Sequence, residues 1–150
     1  MAGLAKWLRL LGFDTTVYKQ ESGRPMMRLA LQEGRIVLTR RRDMRERQFS
    51  GQLSLVPEMS TGRQLKFIID RLSIKIIQKN MYSRCLLCNR TLRPVARGDV
   101  RDAVPDFVFE NCHEFNRCEG CGKVFWPGTH VRNALEFLKQ HEIPLPPDLD

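Results

Sequence analysis

The sequence predicts an α/β fold, a parallel sheet flanked by helices, followed by a small module held together by cysteines. Three observations predict it. Helical and strand patterns alternate through the first half, as in parallel α/β sheets. All five cysteines fall between 85 and 121, four of them in two Cys-x-x-Cys pairs. Charge divides along the same line: residues 1–81 carry 16 Lys and Arg against 7 Asp and Glu, whereas residues 82–150 carry 9 against 10.

The chain opens on Leu4, Trp7, Leu8 and Leu11, the i, i+3, i+4, i+7 spacing of an amphipathic helix, with Gly12 where a C-terminal cap belongs. Thr15 to Tyr18 is β-branched and aromatic, and predicts a short strand. Pro25 opens a second helix through Met26, Met27, Ala30 and Leu31, which Gly34 closes. Ile36, Val37, Leu38 and Thr39 form a continuous apolar strand of the kind buried on both faces. The basic run from Arg40 to Arg47 contains Asp43 and Glu46, and a strand from Leu53 to Val56 ends at Pro57. Thr61 with Gln64 reads as a capping box for a helix whose inner face is Leu65, Ile68, Ile69 and Leu72. Residues 73–81 lead out, as a strand or a helix end. After the cysteines, Val131, Ala134, Leu135 and Leu138 give a last helical stripe, and the Pro-rich tail from Ile143 is irregular. The predicted divisions are 1–80 for the α/β domain, 81–130 for the cysteine module, and 131–150 for the last helix and tail. The order is unusual in beginning inside a helix, so the first strand of the α/β unit is expected to be absent or cut off.

Composition narrows the function class. Apolar residues at 42% and charged residues at 28% are ordinary for a globular protein. No apolar run approaches the ~18 residues a spanning helix needs, and no segment reads as a signal peptide. The acid-free first helix reads as core rather than as an organelle address, which leaves the cytoplasm as the expected location. A net charge of +8, concentrated in the first half, would attract a polyanion.

Cys85-Leu86-Leu87-Cys88 and Cys118-Glu119-Gly120-Cys121 have the spacing of two metal-binding knuckles. A two-residue gap lets both sulfurs of a tight turn face one ion, and two such turns close a tetrahedral zinc site. The gap between the pairs is longer than the commonest ribbon spacing of roughly 15–20 residues, which lengthens the intervening chain without changing the knuckles. Gly120 and Gly122 suit the positive φ that a knuckle needs. An iron–sulfur cluster would use the same ligands, and disulfides are disfavoured by a reducing cytosol. Such a site is closed and structural. Cys112, beside His113, reads as a free thiol, and His130 is a substitute ligand that four cysteines make unnecessary.

The segment from Leu4 to Thr15, the stretch Glu33-Gly34-Arg35-Ile36-Val37-Leu38-Thr39-Arg40, and the cysteine module with Arg101-Asp102-Ala103-Val104-Pro105 and Gly128-Thr129-His130 together resemble the Mut-seven C-terminal ribonuclease family. The resemblance implies a PIN-like α/β domain followed by a zinc ribbon, and metal-dependent RNA cleavage. Carboxylates at the C-terminal ends of parallel strands would hold Mg²⁺ or Mn²⁺ there. The chain departs from that pattern in three places. The family's first acid lies on a strand ahead of the opening helix. Its acid before the second helix falls near Gly23, with Glu21 the nearest carboxylate. Where the family has an aspartate after the central strand, this chain has Arg41.

A cation at Arg41 opposes a bound ion: at ~4 Å two unit charges interact by roughly 4 kcal/mol at an effective dielectric of 20. The expectation is a weakened or inactive nuclease, with Asp43 and Glu46 as the candidate catalytic carboxylates. Arg40, Arg41, Arg42, Arg45 and Arg47 are the candidate RNA-phosphate contacts. The plainer reading of those arginines is a solvated helix face paired with Asp43 and Glu46. Asp14 reads as a turn or cap, and Phe115, Phe125 and Trp126 read as ribbon packing rather than base-stacking platforms. The alternatives to a ribonuclease are a non-catalytic RNA-binding module and a protein-interaction adaptor.

Overall fold

A computed structural model describes residues 1–147, so the end of the predicted tail, 148–150, lies outside the described residues. The first helix, α1 (Ala2–Leu10), is followed by an irregular segment and then by α2 (Arg24–Gln32). Strands β1 (Val37–Thr39) and β2 (Leu53–Leu55) pair in parallel, Val37 opposite Leu53 and Thr39 opposite Leu55. Helix α3 (Thr61–Arg71) completes the α/β part and packs on α1. A second, antiparallel sheet has the order β3 (Arg93–Val95), β4 (Phe115–Arg117), β5 (Val124–Phe125), with α4 (Asp106–Asn111) inserted between β3 and β4. The chain then returns through α5 (Thr129–Gln140). A mixed α/β fold with a small parallel sheet flanked by helices and a four-cysteine cluster is thus present as predicted.

Helical periodicity fixes the main core. Leu4, Leu8 and Leu11 from the first helix and its cap meet Leu65, Ile68 and Ile69 of α3, all buried. Helix α5 joins the same cluster through Ala134 and Leu138, and Trp7 stacks on Phe137 at 4.1 Å between ring centres. The last helix therefore closes over the first core although the ribbon lies between them in sequence. Ile143 is buried there too. The ribbon has its own smaller core of Val100, Val104, Phe115 and Val124, with Trp126 packed against it. That placement supports packing rather than stacking roles for Phe115 and Trp126. Among the described residues, no helix is long and apolar enough to cross a membrane.

Several local expectations change. Thr15–Tyr18 is not a strand: it has no regular structure, and the Thr15 amide donates to Asn89 Oδ1 at 2.9 Å instead. β-Propensity without a neighbouring edge makes no ladder. Ile36 and Leu31 are exposed, so the central strand and α2 bury narrower faces than their apolar runs imply. The capping box is absent: Ser60 rather than Thr61 occupies the N-cap position of α3, without a side-chain cap bond, and the Gln64 amide donates to the Pro57 carbonyl at 3.0 Å. That bond ties the helix to the end of β2. Residues 73–81 are irregular apart from a short turn at Gln78–Asn80. The basic run is no helix face either, but an exposed turn around Arg42–Met44, anchored by the fully buried Met44.

The α/β part and the first knuckle are joined by polar contacts. Arg9, on α1, is buried, and its guanidinium donates to the carbonyls of Thr15 (2.8 Å), Leu86 (2.9 Å) and Leu87 (3.1 Å). Arg84 donates to the Gly12 carbonyl at 3.2 Å. Asn89 is buried at φ 68°, accepts from Thr15 and donates to Asp14 Oδ1 at 2.6 Å. Asp14 in turn pairs with Arg35 through two bonds, of 2.9 and 3.3 Å, just ahead of β1. The expected turn residue is therefore an ion-pair hub. The Arg35 guanidinium and then the Asn89 amide hold its carboxyl below the usual aspartate range.

Two outcomes follow from these contacts. Gly12 (φ +94°) and Gly34 (φ +63°) both sit in the left-handed region, but a Cβ on Gly12 would collide with the Asn80 backbone whereas one on Gly34 meets open space. Gly34→Ala should cost about 1 kcal/mol, the left-handed penalty alone, and Gly12→Ala clearly more in denaturant unfolding. Because the folded Asp14 pKa lies below its unfolded value near 4, its contribution is present above that value and fades as pH falls through the folded one. Asp14→Asn should lower stability by about 0.5–1 kcal/mol at pH 7, screened as exposed pairs are, and the difference should shrink as pH falls below the unfolded value.

Candidate functional sites: a metal centre and an arginine turn

Each cysteine pair forms a knuckle of the same construction. In the first, the Asn89 amide donates to the Cys85 carbonyl (2.9 Å) and the Cys85 amide to the Arg90 carbonyl (2.8 Å). In the second, Gly122 donates to Cys118 (2.8 Å) and Cys118 to Lys123 (2.9 Å). The residue after each second cysteine takes positive φ, 68° at Asn89 and 72° at Gly122. Gly120 does not, contrary to expectation; it is small because the Arg90 side chain lies against its Cα.

The four sulfurs lie within 4.8 Å of one another, with Cys85 3.7 Å from Cys121 and Cys88 3.2 Å from Cys118. A tetrahedron with metal–sulfur bonds of ~2.3 Å has edges of about 3.8 Å, so the donor set fits one ion. Cys85 and Cys118 are fully buried and Cys88 and Cys121 exposed, one of each per knuckle. As a thiol, Cys85 is pushed up by burial. At Cys118 burial acts the same way but is outweighed by the Cys121 amide, the Cys88 sulfur and the Gly120 amide, which hold it below the ordinary thiol range. A thiolate needs such amides whether or not a cation is beside it. Cys112 stays outside the cluster, its thiol donating to the Pro127 carbonyl at 3.5 Å, and His130 is not part of it.

The arginine turn lies at the C-terminal end of β1. Arg40 pairs with Glu58, beyond the end of β2. Arg41 is committed on two sides: Nε and Nη2 donate to the two Asp43 oxygens at 3.0 and 2.7 Å, and Nη1 donates to the Ser22 carbonyl and, at 3.2 Å, its hydroxyl. Arg47 adds a third bond to Asp43 at 3.2 Å. Arg41 holds the Asp43 carboxyl below the usual range, and Asp43 raises Arg41 in return. Arg42, Arg45 and Glu46 are exposed and make no ion pair among the described residues. The plainer reading, arginines paired with Asp43, holds for Arg41 and Arg47 but not through Glu46, and sequence reasoning missed Ser22 altogether.

A catalytic divalent ion fits this donor set poorly. Both Asp43 oxygens already accept from guanidinium groups, which repel a cation. Among the described residues, the four cysteines form the one group of three or more His, Cys, Asp or Glu side chains close enough to share an ion. The other edge of β1 has no strand partner among the described residues, and β1 borders an open cleft of about 720 Å³ lined by Leu4, Leu8, Ala30 and Leu38.

The family model described as the Mut7-C RNAse domain matches residues 1–138, from the opening helix through both knuckles into α5. A human relative, the exonuclease mut-7 homolog, is 31% identical over 215 aligned positions, covering 91% of this chain and 24% of the relative. The chain thus spans about a quarter of that relative's length. No solved structure matches. With a family match that covers the opening helix, the parallel strands and the four cysteines, the chain belongs to the Mut7-C RNAse domain family.

Proposed function

We propose that this chain is an RNA-engaging domain on a PIN-like ribonuclease scaffold, stapled by structural zinc, in which Arg41 suppresses the cleavage chemistry. The single observation that carries the reading is the bidentate Arg41–Asp43 pair at the end of β1. It supports phosphate binding where the family resemblance would place a metal-holding carboxylate. Arg40, Arg42, Arg45 and Arg47 surround it on one exposed turn, and guanidinium groups are suited to phosphate oxygens. Zinc is the natural ion for four thiolates at this spacing, and a closed four-sulfur site leaves no position for substrate. The RNA itself, a cytoplasmic setting and the limits 1–80, 81–130 and 131–150 belong to this reading.

A second reading is favoured by the family's description as a ribonuclease. It keeps Asp43 and Glu46 as carboxylates for Mg²⁺ or Mn²⁺, and it requires Asp43 to leave Arg41. The same resemblance places an acid-bearing strand ahead of α1, and the free edge of β1 along the cleft is suited to a further parallel strand.

The two readings separate in one experiment with a labelled single-stranded RNA. The first expects binding whose affinity falls steeply with salt, losing roughly one unit of log–log slope per phosphate contact removed, and no cleavage in Mg²⁺ or Mn²⁺. Replacing Arg40, Arg41 and Arg42 with Ala should weaken binding. Cleavage that depends on added metal and disappears in Asp43→Asn would overturn it in favour of the second, and an unchanged affinity in the triple variant would remove RNA binding by this turn.

A further inference from the structure

Behind the arginine turn lies a cavity of about 460 Å³, walled by Tyr18, Gln20, Ser22, Arg24, Arg41 and Arg47, with Glu21 the one acidic side chain on its wall. Asp43 is not part of that wall. The carboxylate holds two of the lining arginines, Arg41 and Arg47, without lining the cavity itself. The three cations differ in what they have left to give. Arg41 is fixed by Asp43 and by Ser22 on the opposite segment, so it bridges the two sides of the cavity. Arg47 spends one nitrogen on Asp43, at 3.2 Å. Arg24, at the start of α2, makes no ion pair among the described residues, and the first turn of α2 carries no acid. The Tyr18 hydroxyl, bonded to Gln20 at 3.1 Å, adds a neutral polar group.

We infer that this cavity is a phosphate-binding pocket that works without a divalent ion, with Arg24 and Arg47 as the ligand-binding groups and Arg41 as the positioning residue between them. Its ligand is a phosphate group carried on single-stranded RNA. The inference rests on the RNA-binding reading above and adds Arg24, Tyr18 and Gln20, which lie outside the basic run, to the interface. A guanidinium pre-set by a carboxylate loses little freedom on binding, and planar bidentate donors match phosphate oxygens better than a mobile ammonium. The chemistry that a metal would supply as positive charge is here supplied by fixed guanidinium groups.

The test uses the full chain with its metal in place, a fluorescent single-stranded oligoribonucleotide, and inorganic phosphate as a second probe followed through the backbone amide signals of residues 20–26. Arg24→Ala and Arg47→Ala are each expected to weaken RNA binding about tenfold and to flatten the log–log salt dependence by about one unit. Arg24→Lys is expected to recover part of the loss. Magnesium added at constant ionic strength, with no chelator present, should not strengthen wild-type binding, and inorganic phosphate should shift the amide signals in wild type but not in Arg24→Ala. Wild-type affinity and salt slope in both alanine variants, with RNA still bound, would overturn the pocket while leaving the RNA-binding reading intact. Phosphate binding without any RNA binding would support the pocket, assign it to a free phosphate or nucleotide, and overturn the RNA-binding reading. Binding of neither probe would overturn both.

Discussion

A buried arginine organises this protein. Arg9 sits on the inner side of α1, away from bulk solvent, and its charge is compensated by three backbone carbonyls, those of Thr15, Leu86 and Leu87. Removing a cation from water is costly unless its hydrogen bonds are replaced, so these carbonyls must be held where the guanidinium can reach them. Two of them belong to the interior of the first knuckle, and the third to the chain just after α1. The position of the knuckle and the path of the chain out of the first helix are consequently one problem with one solution. Asn89, in the left-handed conformation that the knuckle imposes, extends the same network to Thr15 and Asp14, and Asp14 carries it to Arg35 beside the central strand. The metal centre is in this sense part of the α/β architecture and not an appendage to it.

The arginine turn shows a different economy of charge. Its basic residues do not simply face solvent, since three of the five are paired and two of those share a single aspartate. Asp43 orders Arg41 and Arg47, and Ser22 pins Arg41 from the far side. Ordered guanidinium groups make a defined anion site where scattered ones would make only a diffuse positive field. The chain belongs to a family described as an RNAse domain, and under the proposed function these fixed guanidinium groups would hold RNA phosphates at the end of β1.

Much of this was legible in the sequence, and the parts that were not share a cause. The cysteine spacing gave the cluster, the stripes of α1, α3 and α5 gave the faces of the main core, and Gly12 and Gly34 gave the helix ends. These signals are local, carried within one or two turns of chain. The strand expected at Thr15–Tyr18 failed because strand formation needs a neighbour, and the nearest acceptor for Thr15 proved to be a side chain 74 residues away. The capping box at Thr61 failed because Gln64 found a carbonyl of the preceding loop. Nothing within the first helix says that the carbonyls of Leu86 and Leu87 wait for Arg9. Gly120 was misjudged for a related reason: positive φ falls at the residue after each second cysteine, Asn89 and Gly122, a rule visible only when both knuckles are compared.

The most direct measurement of this coupling is amide hydrogen exchange on the zinc-loaded chain and on the same chain stripped by chelator under reducing conditions. If the knuckle positions the chain leaving α1, stripping should deprotect not only the amides of Cys85, Asn89, Cys118 and Gly122 but also those of Phe13 and Thr15, while the middle of α3 stays protected. Deprotection confined to the cysteine module, with Thr15 exchanging at its original rate, would contradict the account.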